Sequence, residues 1–194
     1  MSKPITKKDE LLNAALALFM KQGIKGTTTR DIALRAGISE GTIYRHFASK
    51  EELAQEVFRQ NLELFWRFLR RELRNSSTPE DMLEAFIRGV FEFARKHHRR
   101  YSFVFSAHHT ELRRLSRNKM KPKQMLAKIL RLGQAQGRFR PIDTNLAAAM
   151  ILGMITQTIF YMRNGLIKVS YDEVVAEVTR SCLSVMRTET LAGQ

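Results

Sequence analysis

The chain has 194 residues, 44% hydrophobic and 27% charged, so it is long enough to bury a core and does not have the composition of a disordered polymer. Lys and Arg number 33 against 19 Asp and Glu, a net charge of +14 that favours a polyanionic partner, nucleic acid first and an anionic membrane surface second. The one cysteine, Cys182, excludes an intramolecular disulfide and fits a reducing compartment.

The chain starts MSKPITKKDELLNAALALF, meeting Asp9 and Glu10 before any apolar stretch and offering no small-residue cleavage site. A cytoplasmic location is therefore expected. From there a 3.6-residue period dominates and strand-like alternation is nearly absent. Over residues 7–21, Leu11, Leu12, Ala15, Leu16 and Phe19 form one apolar stripe, with Gly23 as the stop. Two short helical signals occupy 27–48. A long helix is predicted over 49–74, opened by a Ser49/Glu52 capping box and carrying Leu53, Val57, Leu64, Phe65 and Phe68. After the break at 75–79, Thr78 caps and Pro79 opens a helix to about His98. A basic, less regular stretch is expected up to Pro122, then a helix ending within 133–137, a loop over 138–143, and two last helices over 144–164 and 172–188. The apolar run LAAAMILGMITQTIFYM (146–162) falls just short of the ~20 residues a spanning helix needs and carries Thr156, Gln157 and Thr158 near its middle. It reads as a buried helix with no membrane role. Everything points to an all-α chain.

The stretch TTTRDIALRAGISEGTIYRHFASKEEL (27–53) carries the functional signal. Thr27 or Thr28 caps its first helix, with Asp31 at capping-box distance from Thr28. Ile32, Ala33 and Ala36 form the inner face, Gly37 makes the sharp turn, and Ser39 caps the second helix. With Ile43 and Phe47 set on the core side, Gly41 and Arg45 lie opposite and Thr42 and Tyr44 on the flanks. That outer face has no partner inside so small a unit. The arrangement is a helix-turn-helix, whose second helix enters the DNA major groove. Gly41 clears room for approach, Arg45 can donate two hydrogen bonds to a guanine edge, and Thr42 offers a hydroxyl and a methyl. Tyr44, His46 and Lys50 suit phosphate oxygens, as do the backbone amides at the first helix start.

The segment from about Leu11 to Val57 closely resembles the TetR family of bacterial transcriptional regulators. The family's run of a Thr pair, Ile-Ala, Ala-Gly, a small capping residue, Gly-Thr-Ile-Tyr, His-Phe and Ser-Lys-Glu-Glu-Leu stands here almost whole. By that resemblance Thr27, Thr28, Ser39, Gly41, Thr42, Tyr44, Arg45, His46 and Lys50 take DNA-contact roles, with Arg45 setting operator preference. Beyond Val57 the resemblance is one of layout. It implies a helix-turn-helix domain over 1–50, and a helical ligand-binding and dimerisation domain over 51–194. It also implies a homodimer that binds a palindromic double-stranded operator as a repressor, and a small apolar or amphipathic effector that shifts the population between two states.

Other classes compete weakly. His97-His98 and His108-His109 could suggest a metal or acid-base site, but adjacent helical residues point about 100° apart. No HExxH, CxxC, phosphate-cradling glycine loop or serine elbow appears, so neither enzyme activity, metal nor cofactor is expected. A non-switching architectural DNA protein would need little besides a basic surface, and the large apolar second half argues against it. Residues 95–123 hold ten Lys or Arg against Glu111 alone, a pattern that fits a solvated basic face or an anion-attracting rim. Phe65, Trp66, Phe86, Phe93, Phe103, Met150, Met154 and Tyr161 are core residues or the lining of an effector cavity, with Arg113 and Arg114 at its mouth. An apolar lining with a basic rim favours an anionic amphiphile such as a fatty acyl-CoA. A cationic or neutral drug-like effector would call for buried carboxylates, for which Glu63 and Glu92 are the candidates.

Overall fold

The computed structural model describes residues 6–105 and 122–187, and the described residues form helices and loops with no strand among them. Helix α1 (Lys7–Gln22) opens at Thr6: the Asp9 amide donates to Thr6 Oγ1, and the Asp9 carboxylate accepts from the Thr6 amide. Both halves of a capping box are present. Gly23, at φ 76°, closes the helix with its amide on the Phe19 carbonyl. Helices α2 (Thr29–Ala36) and α3 (Glu40–Tyr44) follow, and α4 (Lys50–Glu72) runs on into one 3-10 turn, Leu73–Asn75. At the head of α4 the Glu52 amide donates to Ser49 Oγ, while the Glu52 carboxylate accepts from Ala48, one residue earlier than in a standard box. Then come α5 (Pro79–Lys96), α6 (His98–Phe105), α7 (Pro122–Ala135), α8 (Thr144–Arg163) and α9 (Tyr171–Met186).

The main departure from the sequence reading is α6. His97, His98, Arg99 and Arg100 mask an amphipathic turn whose Tyr101 and Phe103 are buried, and burial overrides the weak local pattern. The rest of that basic stretch, residues 106–121 with Arg113 and Arg114, lies outside the described residues.

The chain divides into two compact units. The first takes the described residues up to Phe65 and returns for His97 onward. Its core comprises Leu11, Leu12, Leu16 and Phe19 of α1, Ile32 and Ala33 of α2, Ile43, Phe47, then Leu53, Ala54 and Val57 of α4, closed by Phe103 of α6. Because α4 commits its first turns to this core, the division into compact units falls between Phe65 and Trp66. Glu56 is bracketed by Arg59, whose guanidinium donates twice to it, and this holds its carboxyl down to about 2. Arg100, on α6, donates to Asn61 Oδ1 (2.8 Å) and Asn13 Oδ1 (3.2 Å), tying α6 to α4 and α1.

In the second unit α5 is central, packing against α7, α8 and α9. Leu83, Phe86, Ile87, Val90, Phe91 and Phe93 are all buried, giving it an apolar surface wide enough for several neighbours. Gly89 permits close approach to the end of α4: a Cβ there would fall 2.7 Å from Leu69 Cδ2. The loop after α7 is stitched by the Gln134 amide, which donates to the carbonyls of Arg140 (3.2 Å) and Ile142 (2.7 Å). Arg140 in turn donates to the Val185 and Met186 carbonyls, satisfying orphan acceptors at the end of α9.

Helix α8 is buried along one side only, through Ala147, Ala148, Ile151, Ile155 and Ile159. By length and composition it could cross a membrane, and 28% of its most apolar window is buried. The expectation of a buried helix thus holds along that one side only. Leu146, Met150, Phe160 and Tyr161 point outward, at 53, 39, 56 and 42% exposure.

Candidate nucleic-acid interface

The turn between α2 and α3 is built from local hydrogen bonds. Thr28 caps α2 in a full capping box, and its hydroxyl and amide beside Asp31 hold that carboxyl below its ordinary range. Gly37 sits in the left-handed region at φ 64°, where a side chain would be strained, and the next amide, of Ile38, donates to the Ala33 carbonyl. Ser39 occupies the cap position of α3 with extended backbone but makes no side-chain cap bond. Its hydroxyl pairs instead with Thr42 Oγ1 at 2.9 Å, and Arg45 Nη2 donates to the same Thr42 oxygen at 3.0 Å. These bonds hold Ser39, Thr42 and Arg45 as one polar surface.

Ile43 and Phe47 are buried, as the helical spacing requires. Gly41, Tyr44, Arg45 and His46 are exposed, and Thr42 is partly so. A Cβ at Gly41 would meet nothing nearer than Ser39 Oγ at 4.0 Å, so the fold itself does not demand a glycine there. Two candidates take other places. Thr27 is fully buried and its hydroxyl donates inward to the Gly23 carbonyl at 2.7 Å, leaving only its backbone for an outside partner. Lys50 Nζ donates to the Thr27 carbonyl at 2.8 Å, so it braces the turn before α2. Thr29 and Glu40, which the sequence reading passed over, link the two helices: the Thr29 hydroxyl donates to the Glu40 carboxylate and lies 3.3 Å from the Tyr44 hydroxyl. The third Thr of the Thr-Thr-Thr run was their only signal.

The candidate effector residues divide between the two units. Phe65 and Phe103 belong to the first unit, Phe65 edge-on to Phe105 and Phe103 stacked on Phe19. Trp66, Phe86 and Phe93 are buried in the second unit, with Phe93 edge-on to Phe68 at 5.6 Å. Met154 is half-buried, while Met150 and Tyr161 lie on the exposed side of α8. Helical period identifies apolar faces without saying which neighbour covers each.

The exposed face has the chemistry to read a groove. Replacing Arg45 with Ala should cost about 1–3 kcal/mol at one operator base pair and much less on unrelated duplexes. A competition titration across single-base operator variants measures this, and a uniform loss over all of them would remove Arg45 from base readout.

The comparisons agree with this geometry. Residues 11–57 match the model of bacterial regulatory proteins of the tetR family, and residues 76–186 match a tetracyclin repressor-like C-terminal domain. The HTH-type transcriptional repressor KstR2 of Mycolicibacterium smegmatis is 35% identical over 161 residues, 77% of this chain and 76% of that protein. The structure of the ketosteroid transcriptional regulator KstR2 of Mycobacterium tuberculosis matches with a TM-score of 0.69 at 25% identity, covering 96% of this chain and 98% of that one. The transcriptional regulator FadR of Bacillus subtilis, solved with stearoyl-CoA, superposes with a TM-score of 0.74 at 22% identity, covering 92% and 98%. The chain therefore belongs to the tetR family of bacterial regulatory proteins, and is a ligand-responsive DNA-binding regulator of transcription and not an enzyme.

Proposed function

We propose that the protein is a dimeric repressor that holds a palindromic operator and releases it when a fatty acyl-CoA binds the second unit. The observation that carries the anionic effector is where the charge lies. Residues 1–65, which include the helix-turn-helix, hold 10 Lys and Arg against 8 Asp and Glu, whereas residues 66–194 hold 23 against 11. Most of the +14 thus lies outside the helix-turn-helix. Of that surplus the second unit, 66–96 with 119–194, itself holds 18 Lys and Arg against 10 Asp and Glu, a net +8 that attracts an anionic small molecule over long range. The stearoyl-CoA bound to the Bacillus subtilis regulator is of that class.

The cationic-drug alternative loses its two carboxylates. Glu63 is paired with Arg59 at 2.6 Å, and Glu92 with Arg95 and Lys96 at 2.7 and 2.8 Å. The Arg95 and Lys96 hydrogen bonds hold the Glu92 carboxyl down to about 2, so it is already committed to the protein's own cations. The exposed apolar side of α8 supplies the dimer surface, and two-fold symmetry then matches a palindrome. Release requires only that the effector favour a dimer whose recognition helices no longer fit successive grooves.

The test uses a palindrome selected from random duplexes by the protein itself. Micromolar stearoyl-CoA should release the labelled duplex and perturb the fluorescence of Trp66, the one tryptophan, which is buried. Release by cationic dyes but not by stearoyl-CoA would transfer the protein to the drug-sensing class. Binding that no small molecule alters would make it an architectural DNA protein.

A further inference from the structure

We infer that a stripe of arginines on α4, within the second unit, receives the phosphates of the effector's CoA head; this rests on the acyl-CoA reading above. Arg67, Arg70 and Arg71 of α4, with Arg74 in the 3-10 turn that extends it, recur at the spacing i, i+3, i+4, i+7. At 100° per residue they share an arc of about 100° and a length of about 10 Å. All four are exposed. Arg71 reaches Glu72 at 3.3 Å, while Arg67, Arg70 and Arg74 have no ion-pair partner among the described residues.

The stripe continues onto α5. The Arg71 guanidinium stands 5.1 Å from the Phe68 ring centroid, and Lys96 Nζ stands 6.0 Å from the same centroid. Arg95, next to Lys96, lies over the Tyr171 ring at 5.3 Å. Glu92 is the carboxylate that answers Arg95 and Lys96, and it cannot also serve the α4 arginines, which come no nearer to it in any ion pair among the described residues. Arg67, Arg70 and Arg74 carry like charge along one face and repel one another until an anion joins them.

The chemistry selects phosphate. A guanidinium presents a planar fork that matches phosphate oxygens two at a time, and the four cations on α4 and its 3-10 turn are all arginine. CoA carries a diphosphate and a ribose phosphate along an extended nucleotide, which suits cations spaced along a helix better than a single carboxylate does. The acyl tail needs a cavity, but a phosphate head is stable in water and needs only a basic surface such as this one.

The experiment measures equilibrium binding of stearoyl-CoA and of stearate to the full chain by calorimetry. It compares wild type, the pair Arg70→Gln with Arg74→Gln, and a charge-matched pair on α7, Lys128→Gln with Arg131→Gln, whose parent residues are also exposed. The α4 pair should weaken stearoyl-CoA about tenfold or more, reduce the salt dependence of that binding, and leave stearate unchanged. Unchanged stearate binding also certifies the fold. The α7 pair should leave both ligands as in wild type. Equal stearoyl-CoA binding by the α4 pair and wild type overturns the inference while the acyl-CoA reading stands. An equal loss in the α7 pair overturns it in favour of bulk charge. Loss of operator affinity in the α4 pair with stearoyl-CoA binding intact overturns it in favour of a DNA contact. Wild type that binds stearate and no stearoyl-CoA removes the inference and the reading together.

Discussion

Changing Met150 and Phe160 together to Glu should convert the protein to a monomer and lower operator affinity by a factor of about 10²–10⁴, the avidity that two linked half-site contacts supply. Both side chains are exposed on α8, at 39 and 56%, on the side opposite Ile151 and Ile155. Leu146, Gly153 and Tyr161 share that side at the helical period, so the face is apolar over most of the helix length. A carboxylate placed in a face buried between two copies loses its hydration without gaining a partner. The same carboxylate on a free monomer stays in water, so the fold should be unharmed. The α9 stripe is less clean as a test. Val174, Val175, Cys182 and Met186 turn inward, and Val178 and Val185 are half-buried, so Glu at 178 and 185 would strike the monomer core as well. Sedimentation at micromolar protein, with circular dichroism as the control, decides the matter. A double variant that still sediments as a dimer would show that this face is not the interface.

Phe103→Ala should destabilise the first unit by about 3–5 kcal/mol, the range for removing a fully buried phenylalanine. The ring has no exposure, stacks on Phe19 at 6.4 Å with a 12° interplanar angle, and tilts against Phe58 at 6.4 Å. It is where α6 closes the core around Ile32, Ile43 and Val57. For a unit of this size the loss corresponds to a fall of roughly 10 °C or more in its melting temperature. Below that temperature operator affinity should be near normal, because Phe103 lies in the buried core and not on the exposed α3 face. If Phe103 instead lined the effector cavity, the variant would keep its melting temperature and lose stearoyl-CoA binding. Thermal denaturation beside calorimetry separates the two.

How far the residues alone reach differs between the two units. The helix-turn-helix was legible because its determinants are local. Thr28 and Asp31 three residues apart make a capping box, Gly37 takes the one conformation it was placed for, and Ile43 with Phe47 fall one turn apart on the core side. Short-range bonds and one strong period leave few alternatives over so short a stretch. Even there, Thr27 turned inward and Lys50 bonded to its carbonyl, since an exposed and a buried threonine look alike in a row of three.

The second half is a different case. Its helices were readable from period, apart from α6, but their partners were not. Phe65, Phe103, Phe86 and Tyr161 are equivalent as letters, yet two pack in the first unit, one is sealed in the second, and one faces outward. The order of residues in this protein determined by itself that it is helical, strongly basic and equipped with a helix-turn-helix. Only the tertiary structure decided where each aromatic ring went, because burial depends on contacts between residues far apart in the chain, and a helical period carries no information about which distant face will meet it.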